Sequence, residues 1–172
     1  LDLKGQGSDC AALLGTTSKQ NCWAEILEIL ELLCGFEETV VREQAVETIL
    51  HTLEFLSKSE ATASVLPVVA RLAKDEWFTA RVSACALLTP TLQKATDEAS
   101  LSTVLQLFIK LSGDETPMVR RAAARVLAPF AEAVSSLSDG LEILLRDVIP
   151  QFKRLGMEDD AASVQHIITQ SA

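Results

Sequence analysis

Tyrosine does not occur in this chain, aromatic residues make up only 5% of it, and Leu and Ala are abundant in their place. That balance fits a soluble all-α protein. Basic residues are also short: 15 Lys and Arg face 24 Asp and Glu, for a net charge of −9 and a pI near 4.7. Phosphate binding needs a basic patch, so nucleic acid is not expected as a partner. Long uncharged apolar runs are missing too. The most hydrophobic segment, residues 24–33, carries Glu25, Glu28 and Glu31, whereas a membrane span needs about 18 apolar residues or more with few charges. No membrane association is expected.

Histidine is limited to His51 and His166, far apart in the chain. Neither is expected to have Cys or carboxylate neighbours at ligand spacing, so no metal site or His-centred relay is read here. Gly5-Gln-Gly7 lacks the preceding strand and following Lys-Ser/Thr of a phosphate loop. No paired carboxylates sit in an apolar setting suited to acid–base work. The chain is therefore read as a non-enzyme with no cofactor. The four cysteines, Cys10, Cys22, Cys34 and Cys85, show no tight pairing and no signal peptide precedes them. They read as buried thiols in a reducing compartment. The chain opens Leu1-Asp2-Leu3-Lys4 without an initiator Met, and reads as an excised piece of something longer.

What is present is a repeat. Asp75-Glu-Trp-Phe-Thr-Ala-Arg81 and Asp114-Glu-Thr-Pro-Met-Val-Arg120 share an acidic turn followed six residues later by arginine. Phe36-Glu-Glu-Thr-Val-Val-Arg42 is a looser copy. The arginines stand at 42, 81 and 120, a period of 39 residues, and fixed periods of about 20–50 residues mark stacked-repeat architectures. Each repeat resolves into two amphipathic helices at 3–4 spacing. The first pair carries Trp23, Ile26, Leu27, Leu30 and Leu33, then Val41, Ala45, Val46, Ile49, Leu53 and Leu56. Turns are expected at Gly35 to Thr39, Lys74 to Phe78 and Ser112 to Pro117, and loops between repeats at Ser57 to Glu60, Ala95 to Ser100 and Ser135 to Gly140. The third repeat's second helix should run through Val119, Ala123, Val126, Leu127 and Phe130. A fourth pair is centred on Leu141–Leu155 and Val164–Ile168. Gly15 to Lys19 is expected as a loop, and Trp23 as core. Prolines at 67, 90, 129 and 150 fall inside helical patterns and should bend them. The expected units are a remnant at 1–19, repeats at 20–58, 59–97 and 98–137, and a divergent repeat at 138–172.

A first-helix proline, a turn aspartate and a Val-Arg opening of the second helix together resemble the HEAT motif. Asp75, Arg81, Asp114 and Arg120 match it, and the resemblance implies that these side chains bond in a ladder between successive repeats. More closely, residues 37–47, 77–85 and 114–124 resemble successive repeats of the scaffold (A, structural) subunit family of protein phosphatase 2A, Thr-Pro-Met-Val-Arg-Arg-Ala-Ala-Ala being the specific stretch. Glu28, Phe36 and Gln165 depart from that pattern. The resemblance implies a right-handed, gently curved all-α solenoid that docks a regulatory (B-type) subunit on its intra-repeat turns; the expected compartment is the cytoplasm, with the nucleus as an alternative. In the full-length family the catalytic subunit docks on later repeats. Candidate partner contacts are Glu37, Glu38, Asp75, Trp77, Phe78, Asp114, Thr116, Pro117, Met118 and Arg121. Among them Thr116 and Pro117 also suit helix capping, as N-cap and first helical residue. The alternative is an importin-like transport or adaptor solenoid, and self-association through bare end faces is a further expectation.

Overall fold

The computed structural model describes residues 16–135 and, beyond them, 142, 145, 146, 149–154, 162 and 166; side chains are described from Trp23 onward. The leading remnant with Cys10 and the Gly5-Gln-Gly7 stretch, the Cys22 side chain, the loop after residue 135 and most of the fourth repeat, Asp159 and Gln165 included, lie outside the described residues. Among those described there is no strand. The helices are α1 (Thr16–Cys34), α2 (Thr39–Phe55), α3 (Lys58–Leu72), α4 (Phe78–Lys94), α5 (Glu98–Ser112), α6 (Pro117–Arg125), α7 (Leu127–Ser135) and α8 (Ile149–Arg154).

Local chemistry sets the boundaries. Ser57 opens α3 with a capping box: its hydroxyl accepts the Glu60 N–H while the Glu60 carboxylate accepts the Ser57 N–H at 2.9 Å. The loop expected at Ser57 to Glu60 is therefore already helix. Asp97 opens α5 by accepting the Ser100 N–H at 2.8 Å. α1 likewise begins at Thr16, inside the segment expected to be a loop. Pro67 and Pro90 sit within unbroken helices, but Pro129 divides the third second-helix. With no N–H at 129, the ladder bond to the Arg125 carbonyl is missing there. Val126 takes φ −97°, ψ 2° and separates α6 from α7.

The helices form antiparallel hairpins, α1 with α2, α3 with α4 and α5 with α6. The first helices α1, α3 and α5 pack side by side as one layer, and α2, α4 and α6 as a second, with α7 also against α4. Leu27, Leu30 and Cys34 form the buried stripe of α1, Ala45, Ile49 and Leu53 that of α2, and Val65, Val68, Val69 and Leu72 that of α3. Trp23, expected in the core, is only half-buried and Ile26 is exposed. The Phe108 and Phe130 rings stack at 4.1 Å and fill the third hairpin. Each is fully buried, worth roughly 1.5–3 kcal/mol of transfer free energy.

Polar bonds tie one hairpin to the next. Thr79 Oγ1 and Ser83 Oγ of α4 donate to the Gly35 and Cys34 carbonyls at the end of α1, both at 2.8 Å. Lys94 Nζ reaches the Leu56 carbonyl at 2.9 Å and Lys110 Nζ the Ala73 carbonyl at 3.3 Å. These are orphan C-terminal carbonyls that a lone helix leaves to water. Each is met by a donor from the neighbouring repeat, which sets how one hairpin sits on the next.

Candidate protein-docking ridge

The period-39 arginines share a job that spacing alone did not disclose. Each folds back over its own turn and donates from Nη1 to two backbone carbonyls. Arg42 takes Phe36 and Glu37 at 2.8 and 2.7 Å; Arg81 takes Asp75 and Glu76 at 2.9 and 2.8 Å; Arg120 takes Asp114 and Glu115 at 2.8 and 2.9 Å. Charge-assisted bonds to two successive carbonyls hold a turn in one shape. The repeating arginine is first a clamp on its own turn.

A cross-repeat rung exists at one place among the described residues. Arg81 Nε and Nη2 bind both Asp114 oxygens at 2.8 and 3.0 Å, and Nη2 also meets Thr116 Oγ1 at 3.1 Å. The two side chains are 9% and 6% exposed. Burial alone would raise the Asp114 carboxyl, but hydrogen bonds from Arg81 and the Thr116 N–H, with the guanidinium charge, outweigh it and hold the group below its ordinary value. The ladder expectation needs correcting for Asp75. It is exposed, accepts the Trp77 N–H at 2.8 Å, and receives no bond from Arg42, whose Nη2 meets Thr39 Oγ1 at 3.3 Å instead. The position matching Thr116 is Trp77, which has no acceptor to complete the rung. Arg120 bonds within its own turn. Thr116 is the N-cap and Pro117 the first helical residue, but the Thr116 hydroxyl serves Arg81 and makes no capping bond.

The rung and the Thr79–Gly35 bond place the three turns beside one another. Trp77 is 67% exposed, Met118 54% and Phe36 49%, with Phe78 also exposed. Glu37, Glu38, Glu76, Glu115, Pro117 and Arg121 are exposed around them, while Thr116 is half-buried. Asp114, expected among the partner contacts, is turned into the rung. Between the first and second turns lies an open groove of about 730 Å³, flanked by Phe36, Trp77, Leu32, Glu28 and Asp75. Phe36 was read from sequence as a departure from the motif and not as a partner contact, although the period puts it in register with the two turn aspartates. Arg71, which binds Glu31 with both contacts at 2.7 Å at the base of this groove, was also missed.

Other chemistry is sparse. His51 does have carboxylate neighbours, contrary to the sequence reading: Glu47 at 3.9 Å and Glu54 at 3.8 Å, one turn to either side. All three are exposed helix-surface residues. Burial pushes the Cys34 and Cys85 thiols up to about 12, with Glu31 and Asp114 adding to it respectively, so neither is a ready nucleophile. Among the described residues no group of His, Cys, Asp and Glu is placed to hold a metal ion, and no helix is long and apolar enough to cross a membrane.

Compared with protein-family models, residues 104–134, from within α5 to the end of α7, match the HEAT repeat. A comparison with curated proteins gives no match. The fold is an all-α stack of helical hairpins that includes a HEAT repeat, an architecture typical of scaffolds and adaptors.

Proposed function

We propose that this chain is part of a scaffold (A) subunit of a protein phosphatase 2A-type serine/threonine phosphatase, and that its intra-repeat turns hold a regulatory (B-type) subunit. The catalytic subunit would dock elsewhere on the full-length array. One observation carries the reading: three neighbouring turns, each clamped by an arginine, leave Phe36, Trp77 and Met118 exposed along one ridge. The resemblance of residues 37–47, 77–85 and 114–124 to that scaffold family supports it.

The geometry suits docking. Turns already held by two carbonyl bonds lose little freedom on binding, so less contact energy is consumed in ordering them. Trp77 is the kind of large side chain that dominates interface energetics. The surrounding carboxylates would speed encounter with a basic partner and select against acidic ones. Arg121 lies about 100° around α6 from the clamp residue Arg120 and is free to reach a partner acid. Binding of a purified B-type regulatory subunit, measured by calorimetry, tests the proposal. Trp77→Ala should weaken it roughly 30-fold, the effect of a typical hot spot. Arg121→Glu should weaken it with helicity and melting unchanged. Undiminished binding by both variants would overturn the assignment.

A further inference from the structure

The solvent face of the second helices carries a different pattern, away from the exposed aromatic turns. There α2, α4 and α6 border an open groove of about 320 Å³ whose floor is Val46, Leu50, Val82, Ala86, Ala122 and Val126. All are half-buried except Ala86, which is exposed. The period aligns the charged positions around this floor. Glu47, Ala86 and Arg125 occupy one position in three successive repeats and all border the groove, and Glu43 borders it one helical turn before Glu47. Along the row the charge passes from negative through neutral to positive. α4 has no charged residue between Arg81 and Lys94, so the centre is wholly uncharged.

These end charges do not serve one another. Helices packed at about 8–10 Å put α2 and α6 roughly 16–20 Å apart, about twice the Debye length at physiological salt. Glu43 and Arg125 have no bonding partner among the described residues, and Glu47 has only a 3.3 Å bond from Gln44 and the long approach to His51. Arg42 also borders the groove at the acidic end, but its guanidinium is held over the first turn. The acidic end thus keeps its sign.

From this we propose that the second-helix groove binds a bipolar peptide segment that crosses all three helices, with basic residues over Glu43 and Glu47, an acidic residue over Arg125, and large apolar side chains over Ala86 and Ala122. The span corresponds to about five or six extended residues at 3.3 Å each. The small central side chains leave the room, and the opposed ends set the direction. This surface is separate from the aromatic ridge and stands whether or not a phosphatase subunit binds there.

The test uses the whole chain and a capped synthetic peptide with two lysines at one end, a leucine-rich centre and two glutamates at the other. A peptide of the same composition with its charges interleaved is the control. By fluorescence anisotropy the bipolar peptide should bind tighter than the control, and 0.5 M salt should weaken it. Glu43→Gln with Glu47→Gln, and Arg125→Gln alone, should each lower affinity about threefold or more, as loss of surface charge partners does. A nitroxide on the lysine end should broaden backbone amide signals of α2 and spare those of α6. Trp77→Ala should leave peptide binding unchanged, which separates this groove from the ridge. Equal affinity for the two peptides, indifference to the charge variants, or broadening centred on α6 would each overturn the proposal.

Discussion

Arg81 shows how much one side chain can do when its neighbours fit. The same guanidinium closes its own turn through two carbonyls and grips Asp114 and Thr116 of the next. Because both partners are nearly buried, removing one strands the other. Arg81→Gln or Asp114→Asn should each cost about 3 kcal/mol in denaturant unfolding, and the double variant less than the sum. The pH dependence follows from the depressed Asp114 carboxyl. Its stabilising contribution is complete above the unfolded value of about 4 and is lost as pH falls through the lower folded value. Wild type should therefore lose stability below pH 4 more steeply than Asp114→Asn, as read by acid titration of the far-ultraviolet dichroism. Cys34 and Cys85, with thiols held up at about 12, should resist iodoacetamide at pH 8 in the native protein. Both should react once denaturant is added, by peptide mass mapping.

At the scale of elements, helix starts were harder to read than helix faces. The Ser57–Glu60 pair has the spacing of a capping box, yet its polar composition also suits a loop, and only the reciprocal bonds decide between them. Ser57→Ala should lower stability by about 1 kcal/mol, measured as a drop in Tm, with α3 still present by dichroism. Prolines posed the opposite difficulty. Pro67 and Pro90 are carried within continuous helices while Pro129 ends one. Each proline removes one ladder bond, yet α3 and α4 continue through theirs and only the third second-helix divides.

For the whole molecule, the joints between hairpins matter most, since each repeat touches only its neighbours. Thr79 and Ser83 hold the C-terminal end of α1 against α4; the corresponding residues of the third repeat, Met118 and Ala122, have no hydroxyl. The first joint is thus bonded differently from the second, which relies on the Arg81 rung and Lys110. Thr79→Val with Ser83→Ala should weaken the first joint by about 2 kcal/mol, taking roughly 1 kcal/mol per hydrogen bond. Hydrogen exchange should then quicken in α1 and α2 and stay unchanged in α5 to α7. Uniform quickening throughout would mean that the stack opens as one cooperative unit.

Periodicity alone was enough to read an all-α stack of hairpins and the order of the turns, because a fixed repeat of apolar stripes leaves few other ways to bury them, whereas the exposure of Trp77 and Met118 was decided by the fold. The direction in which each guanidinium points was decided only in three dimensions. Arg42, Arg81 and Arg120 look equivalent in the sequence, yet Arg81 has Asp114 and Thr116 within reach while Arg42 makes no bond to Asp75 and meets Thr39 instead, and hydrogen bonds depend on acceptors within about 3 Å, not on spacing along the chain. The charge polarity of the second-helix face was written in the chain as well, but it became a surface only when tertiary packing brought positions 39 residues apart onto adjacent helices.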